Sequence, residues 1–233
     1  MNHRIVSKGC RLGRLARLVM PDYPHHVTQR GSRRQRTFFR ETDYRMYVDL
    51  LSKARERVEI EVWAYCLMPN HVHIIVVPKG RDSLANFFGQ AHCTYARVIN
   101  AREGWQGHLW QERFHSYVMD EHHLLAAVRY TELNPVRAGM CDTPGEWPWS
   151  SYRAHLSGED DKLVNVGPML ARVSDWTSFV QPEENDAKQI AQIRELSRTG
   201  HAGGSDQFIK KLESLVGRKI GKRRPGRPKK VKQ

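Results

Sequence analysis

The stretch 68–77 (MPNHVHIIVV) constrains the fold of this chain more than any other. Pro69 and Asn70 are turn residues, and the β-branched, apolar run after them is typical of a strand. Because side chains alternate along a strand, His71 and His73 share one face. Two imidazoles held this way begin a metal site, since imidazole is a common ligand for divalent metals. The alternative is a pair of polar residues at the exposed end of a strand.

The residues on either side of the turn predict an antiparallel hairpin. Residues 58–67 alternate between apolar and polar or aromatic side chains, which indicates a half-buried strand. One face is predicted to carry Val58, Ile60, Val62, Ala64 and Cys66. Residues 74–77 are apolar on both faces, which indicates a central position in the sheet.

The order of the predicted elements indicates the fold class. Strands are expected at 25–30, 58–67, 71–77 and 114–119, and helices after residue 42 and at 83–101 and 121–133. Asp120 is a natural N-cap for the last helix. The order strand, helix, strand, strand, helix, strand, helix predicts an α+β, ferredoxin-like antiparallel sheet with helices on one face.

Charge and composition divide the chain into four parts. Residues 1–20 form a basic arm, 21–157 the main domain, 158–217 a helical C-terminal segment and 218–233 a basic tail. Short helical patterns at 185–198 and 205–216 lie within the third part. The tail holds nine Lys or Arg and no acidic residue, so the total charge of +13 leaves +4 for the other 217 residues.

The charge also indicates the partner. A strongly basic chain favours a polyanion, nucleic acid first. The four cysteines are scattered without disulfide or zinc-finger spacing, which suits a reducing compartment. Because no apolar run reaches membrane-spanning length, we expect a cytoplasmic protein with no membrane partner.

A basic loop follows the first strand. Its candidate DNA-binding residues are Arg30, Arg33, Arg34 and Arg36. Phe38 and Phe39 come directly after them, and basic residues beside aromatics suit phosphate contact with base stacking. A solvated loop held by two core phenylalanines fits the same pattern.

The helix at 121–133 supplies a candidate nucleophile. Tyr130 and Asn134, four residues apart, project together from one side of it. Tyrosine can act as a nucleophile, but its reference pKa near 10 means that it needs a base or a strong electrophile. A phosphodiester bound to a metal is such an electrophile. Alternatively, Tyr130 packs in the core, and Asn134 caps a short turn at 135–139.

These motifs together resemble a known family. HVH at 71–73 resembles the His-hydrophobe-His signature of HUH endonucleases. YTELNPV at 130–136 resembles the helix motif of the IS200-like single-tyrosine transposases, and most closely that of REP-associated tyrosine transposases. The stretches 23–31 (YPHHVTQRG) and 108–114 (HLWQERF) agree, so the resemblance covers roughly residues 15–155.

The resemblance implies a catalytic domain with a specific chemistry. His71 and His73 would bind Mg²⁺ or Mn²⁺, and Asn134 would be a third ligand or a nearby polar group where the family usually carries glutamine. Tyr130 would attack a phosphodiester in single-stranded DNA, leaving a 5′-phosphotyrosine link and a free 3′-OH that can rejoin DNA. Hairpin or palindromic repeats are the expected substrates.

Further basic residues are expected to contact DNA. Arg113 lies in the stretch 108–114, which matches the family. The tail segment 222–230 (KRRPGRPKK) resembles an AT-hook, which lays an extended arginine in a narrow minor groove. Its candidate residues are Arg223, Arg224, Arg227, Lys229 and Lys230. A generic polybasic tail is the alternative.

Two other functions remain open from sequence. One is a catalytically decayed protein that binds DNA hairpins, and the other is a metal-dependent hydrolase that activates water. The family resemblance implies either a homodimer that exchanges tyrosine helices or a monomer, and the long C-terminal segment favours the monomer.

Overall fold

The computed structural model describes residues 17–182 and 186–221. Strands and α-helices in this part follow in the order β1 (His25–Arg30), α1 (Glu41–Arg55), β2 (Ile60–Met68), β3 (His71–Pro78), α2 (Ser83–Glu103), β4 (His115–Val118), α3 (Glu121–Glu132), α4 (Asn134–Arg137), α5 (Tyr152–Ser157), α6 (Gly167–Leu170), α7 (Trp176–Phe179), α8 (Asp186–Thr199) and α9 (Asp206–Val216). Through α3 this is the predicted order.

The four strands form one antiparallel sheet in the spatial order β2-β3-β1-β4. This arrangement confirms the predicted α+β, ferredoxin-like fold. The hairpin between β2 and β3 turns through Pro69 and Asn70, as the sequence predicts. β3 and β1 are the two inner strands, and their side chains build the centre of the molecule.

The helices cover both faces of the sheet, so the expectation of helices on one face holds only for α1 and α2. One core contains Val72, Ile74 and Val76 of β3 together with side chains of α1 and α2. A second core on the opposite face contains Ile75 and Val77 with side chains of α3. β3 is apolar on both sides, and each side therefore needs a covering layer.

A β-bulge in β2 changes which of its side chains share a face. Val62 pairs with Val76 and Ala64 with Ile75, which leaves Trp63 as an extra residue. The predicted alternation is therefore wrong beyond the bulge. A bulge shifts the following residues by one position, so side chains that would have continued one face move to the other.

The C-terminal segment packs against the sheet domain. Leu163 and Val166 join the core of α1 and α2, while Trp176, Val180 and Leu196 join the core of α3. The predicted helices at 185–198 and 205–216 correspond to α8 and α9, apart from residue 185, which lies outside the described residues. No helix in the described ranges has the length and apolarity to span a membrane.

Candidate active site

The polar side chains of interest lie on the α3 side of the sheet. Antiparallel pairing sets Arg30 of β1 opposite His71 and Thr28 opposite His73. Cys66 of β2 lies opposite His73 from the other side, because the bulge has shifted it into register. Directly opposed residues point to the same face, so the two histidines lie in a row of side chains beneath α3.

His71 is oriented by the hairpin turn. Its Nδ1 is 2.6 Å from Oδ1 of Asn70. The amide of Asn70 also donates to the carbonyl of Arg34 at 3.0 Å. Since the amide oxygen can only accept, the hydrogen of His71 lies on Nδ1, and its Nε2 is left with a lone pair.

His73 is oriented by a residue of β1. Its Nδ1 is 2.9 Å from Nε2 of His26, and the two rings are stacked with centroids 5.0 Å apart. Nε2 of His73 is buried and makes no hydrogen bond within the described residues. A buried imidazole nitrogen without a hydrogen-bond partner needs an explanation, and a role as a metal ligand provides one.

Both candidate ligands are neutral near pH 7. Burial, and then the charge of Arg30, lowers the pKa of His71 to about 4. Burial, together with His71 and His26, holds the pKa of His73 well below its ordinary value of 6.5. Neutral imidazole is the form that coordinates metals, so both rings are available as ligands.

Tyr130 lies on α3 directly over His73. Asp120 caps this helix as predicted, with its carboxylate accepting from the backbone of His123 at 3.0 Å. The Tyr130 and His73 rings have centroids 5.4 Å apart and planes at 81°. Tyr130 is 9% exposed. The predicted nucleophile and the predicted metal ligands thus meet in one site.

Asn134 is placed one helical turn beyond Tyr130. The chain interrupts α3 at Leu133 and begins the four-residue α4 at Asn134. Leu133 is the N-cap of α4, so Asn134 occupies the first helical position and not the cap, and its Nδ2 is buried without a hydrogen-bond partner among the described residues. The geometry therefore supports a polar group at the site better than a turn cap.

Arginines surround the tyrosine. The guanidinium carbon of Arg137 lies 4.2 Å from the centroid of the Tyr130 ring, and Arg137 also donates to the Tyr130 carbonyl. The charge of Arg30 is close enough to interact with Tyr130 and with Arg194 of α8. These cations favour an anionic group such as a phosphate beside the tyrosine.

A small, open depression, with room for about one water molecule, lies beside Tyr130. Its walls come from α3, α4 and α8, with Arg129, Arg137 and Gln189 among the polar lining residues. α8 also packs against β4 and β1, so the C-terminal segment forms part of the candidate site.

The basic loop is joined to the same site. Arg33, Arg34 and Arg36 are exposed, and the first two have left-handed φ values of 54° and 61°. The loop is held to the hairpin turn because Gly31 N donates to Asn70 O at 2.9 Å. A Cβ at Gly31 would lie 2.4 Å from the carbonyl oxygen of Gln35, so this close approach requires glycine.

The aromatic residues after this loop divide between core and surface. Phe38 is fully buried and stacks on Tyr44, so it packs in the core rather than against bases. Phe39 is half-buried against Trp105. Arg113 is exposed near Arg17, whereas Arg223, Arg224, Arg227, Lys229 and Lys230 lie outside the described residues.

Sequence reasoning missed the residues that orient the two histidines. Asn70 was interpreted only as a turn residue, and His26 only as part of a strand. Alternation along β1 was the available signal. His26, Thr28 and Arg30 are separated by two residues each, so all three point to the face that carries the site. Tyr117 of β4 contacts His26, and Arg194 of α8 lies near Arg30. Both residues are distant in sequence from the two histidines, so only the tertiary structure places them at the site.

The residues fit a divalent metal. They offer two neutral imidazoles, one with an unpartnered buried nitrogen, and a nearby amide. Across residues 17–182 and 186–221, His, Cys, Asp and Glu side chains form no group of three suited to a metal. A cation here would therefore complete its coordination with amide, water or substrate oxygens, which suits Mg²⁺.

Comparisons with known proteins identify a family that matches the sheet domain. The family model described as "Transposase IS200 like" matches residues 20–134. A REP-associated tyrosine transposase of Escherichia coli K12 is 24% identical over 126 residues, which cover 54% of this chain and 74% of that protein. A candidate REP-associated tyrosine transposase of Haemophilus influenzae is 24% identical over 115 residues, covering 45% and 65%.

A solved structure shares the fold. A REP-associated tyrosine transposase bound to a REP hairpin superposes with a TM-score of 0.54 at 20% identity, covering 65% of this chain and 91% of that chain. The sheet and its helices therefore have the fold of a tyrosine transposase. Residues 20–134, about half of the chain, match the IS200-like transposase family, and the similar proteins include REP-associated tyrosine transposases.

Proposed function

We propose that this chain is a single-stranded DNA endonuclease and strand-transferase that acts at hairpin or palindromic repeats through a 5′-phosphotyrosine intermediate. The observation that carries the proposal is the 5.4 Å separation of the Tyr130 and His73 rings within one chain. A hydroxyl nucleophile and a pair of neutral imidazoles on a rigid strand are the parts that phosphodiester cleavage by tyrosine requires.

The reaction begins with attack by the Tyr130 hydroxyl oxygen on the scissile phosphorus. The new bond joins tyrosine oxygen to phosphorus, and the bond from phosphorus to the 3′ oxygen of the upstream strand breaks. The tyrosine loses its proton and the leaving 3′ oxygen gains one. The downstream strand stays attached through its 5′ phosphate, and a 3′-OH can reverse the step to join DNA without a nucleotide cofactor.

The metal-binding residues of the proposal are His71, His73 and Asn134. A bound Mg²⁺ or Mn²⁺ would withdraw charge from the phosphate oxygens and make the phosphorus more electrophilic. Arg30 and Arg137 supply positive charge on the tyrosine side. They would hold the phosphate in place and stabilise the charge that develops during transfer.

The basic loop is the proposed hairpin-binding element. Arg33, Arg34 and Arg36 are exposed next to the site, and the solved transposase that shares the fold is bound to a REP hairpin. Arg113 and the basic tail would extend the contact with phosphates. Most of the affinity would then come from the backbone, whatever the base sequence.

We infer that one subunit carries out cleavage. Tyr130 faces His73 of its own chain, so both halves of the site are present without exchange of helices. The cytoplasm is the proposed location, and the free Cys66, Cys93 and Cys141 suit a reducing compartment.

Detection of a covalent DNA adduct tests this function against its two rivals. Wild type, Tyr130→Phe and His73→Ala are incubated with a hairpin flanked by single strands, then denatured and separated by size. We expect an adduct with wild type only. Cleavage without an adduct would instead show water-mediated hydrolysis, and hairpin binding without cleavage would show a decayed enzyme.

A further inference from the structure

A chain of three buried side chains runs away from the metal-facing strand. The hydroxyl of Tyr117 on β4 is 3.0 Å from Nδ1 of His26, and Nε2 of His26 is 2.9 Å from Nδ1 of His73. All three residues are 5% exposed or less. The three side chains lie on three neighbouring strands, because β1 carries His26 and pairs with β4 on one side and with β3 on the other. Tyr117 of β4 lies directly opposite His26.

Hydrogens can be placed along this chain in two ways. In the first, Tyr117 donates to His26, His26 donates to His73, and Nε2 of His73 then carries a hydrogen. In the second, His73 donates from Nδ1 to His26, His26 donates to the oxygen of Tyr117, and Nε2 of His73 carries a lone pair. Each imidazole has one donor and one acceptor nitrogen when neutral, so the choice at one end sets the other.

We propose that His26 and Tyr117 are positioning residues that hold His73 in the second arrangement and so present its Nε2 lone pair to a divalent cation. The first arrangement would leave a buried N–H of His73 without an acceptor, and buried N–H groups without partners are rare. In the second arrangement the hydroxyl hydrogen of Tyr117 is directed to its other neighbour, the Ser197 hydroxyl of α8. This inference rests on the proposed function, because it gives His73 a metal to bind.

The tautomers of the two candidate ligands are then fixed by different kinds of neighbour. Asn70 fixes the hydrogen of His71 through an oxygen that only accepts. His73 instead depends on a chain that runs through His26 to the phenol of Tyr117, which also contacts the Ser197 hydroxyl. Partners of metal-binding histidines orient the ring and fix its tautomer, and their loss typically reduces metal affinity 10–100-fold. Tyr117 should therefore affect metal binding although it lies beyond His26.

The chain offers a matched control on the other side of the sheet. The Tyr47 hydroxyl is 2.8 Å from Nε2 of His92, and both are buried in the core of α1 and α2. Tyr47→Phe and Tyr117→Phe each remove one phenol oxygen bonded to one buried histidine. Only Tyr117→Phe breaks the chain that leads to His73.

The first measurement is the tautomer of each histidine, by ¹⁵N NMR of the imidazole nitrogens in metal-free full-length protein at neutral pH. We expect wild type and Tyr47→Phe to hold the hydrogen of His73 on Nδ1. In Tyr117→Phe each arrangement leaves one N–H without an acceptor, so the preference should be lost and a measurable fraction of His73 should carry its hydrogen on Nε2. A hydrogen on Nε2 of His73 in wild type would overturn the proposal.

The second measurement is Mn²⁺ affinity, by electron paramagnetic resonance on the same proteins. We expect Tyr117→Phe and His26→Leu to bind Mn²⁺ about 10–100-fold more weakly than wild type, with Tyr47→Phe unchanged. Equal affinity in wild type and Tyr117→Phe would overturn the positioning role. Absence of Mn²⁺ binding by wild type would instead remove the metal site itself, and an adduct assay would still report on Tyr130 separately.

Discussion

At the scale of single residues, the site depends on imidazoles that stay neutral while buried. Burial is the main cause that lowers the pKa of both His71 and His73, and the charge of Arg30, which lies opposite His71, lowers the pKa of His71 further. Each has Nδ1 engaged by a neighbour, so that each can direct Nε2 outward. These hydrogen bonds thus fix the ring orientation and the tautomer of both histidines in the metal-free protein.

Replacing either candidate ligand should abolish cleavage without abolishing DNA binding. His71→Ala and His73→Ala each remove one of the two imidazoles, whereas contacts with the DNA backbone carry most of the affinity. We expect hairpin binding within about threefold of wild type and no cleavage above background. Gel-shift and nicking assays measure the two properties, and normal nicking by either variant would contradict the ligand assignment.

At the scale of elements, a buried carboxylate fixes the tyrosine helix. Glu132 of α3 is fully buried, and it accepts from Ser151 Oγ at 2.6 Å, His155 Nδ1 at 2.8 Å and Trp176 Nε1 at 2.9 Å. Ser151 in turn accepts from the backbone N–H of Tyr65 in β2 at 2.9 Å. Through this network the helix that carries Tyr130 is held to the sheet and to the C-terminal segment.

Loss of this carboxylate should destabilise the whole domain. Glu132→Ala leaves the buried His155 Nδ1 and Trp176 Nε1 without an acceptor, while Ser151 Oγ can still donate to Tyr65 O. Breaking a buried network of this kind by removing one partner typically costs about 3–5 kcal/mol. Urea unfolding measures the difference in free energy of unfolding. Glu121→Ala on the same helix is the control, because its exposed ion pair with Arg172 is worth at most about 1 kcal/mol. Equal effects of the two variants would contradict this role.

The sequence predicts element order and the main chemistry, but not the partners across elements. His71 and His73 could be placed on one face by alternation alone, and Tyr130 with Asn134 by helical spacing. The bulge at Trp63 was invisible, because one extra residue leaves the apolar pattern of β2 plausible in either register. The hydrogen bond between His26 and His73 depends on pairing between strands 47 residues apart.

The second face of helices was unpredicted for a related reason. The sequence of β3 indicates a strand buried on both sides, yet periodicity alone does not say which helix covers which side. Glu132 lies among the apolar residues of α3 in the sequence, and that position signals a buried carboxylate only when its donors on α5 and α7 are known.

At the scale of the molecule, buried histidines link stability to pH. Burial lowers the pKa of His25 to about 4 and that of His26 and His92 to about 3, against 6.5 in the unfolded chain. The unfolded state therefore binds protons first as the pH falls. The contribution of these neutral histidines to the free energy of unfolding is fully present above pH 6.5. It is lost as the pH falls from about 6.5 to 3.

The free energy of unfolding should fall steeply on mild acidification. Each of these histidines contributes a loss of about 1.4 kcal/mol for each pH unit below 6.5, until its folded pKa is reached. Urea titrations in chelator at pH 7.5, 6.0 and 5.0 measure this loss. Exposed His122 gives the control, since His122→Gln should leave the slope unchanged. Constant stability over this range would contradict the neutral, buried state of the three histidines.

The basic tail should add affinity that depends on salt. Residues 218–233 carry nine of the positive charges, and each phosphate that they neutralise contributes about 0.7 to 0.9 to the slope of log K against log salt. Deleting these residues should weaken hairpin binding at low salt and flatten that slope, measured by fluorescence anisotropy. Nicking at saturating substrate should persist, and an unchanged slope would show that the tail does not contact DNA.

The central claim is that Tyr130 forms a bond with the 5′ end of the downstream strand. The most direct measurement incubates wild type with a hairpin substrate labelled at either its 5′ or its 3′ end, denatures the protein, and maps the labelled peptide. We expect that only the 3′ label stays with protein, on the peptide that contains Tyr130, and that Tyr130→Phe retains neither label. Retention of the 5′ label, or an adduct on Tyr117 instead, would contradict it.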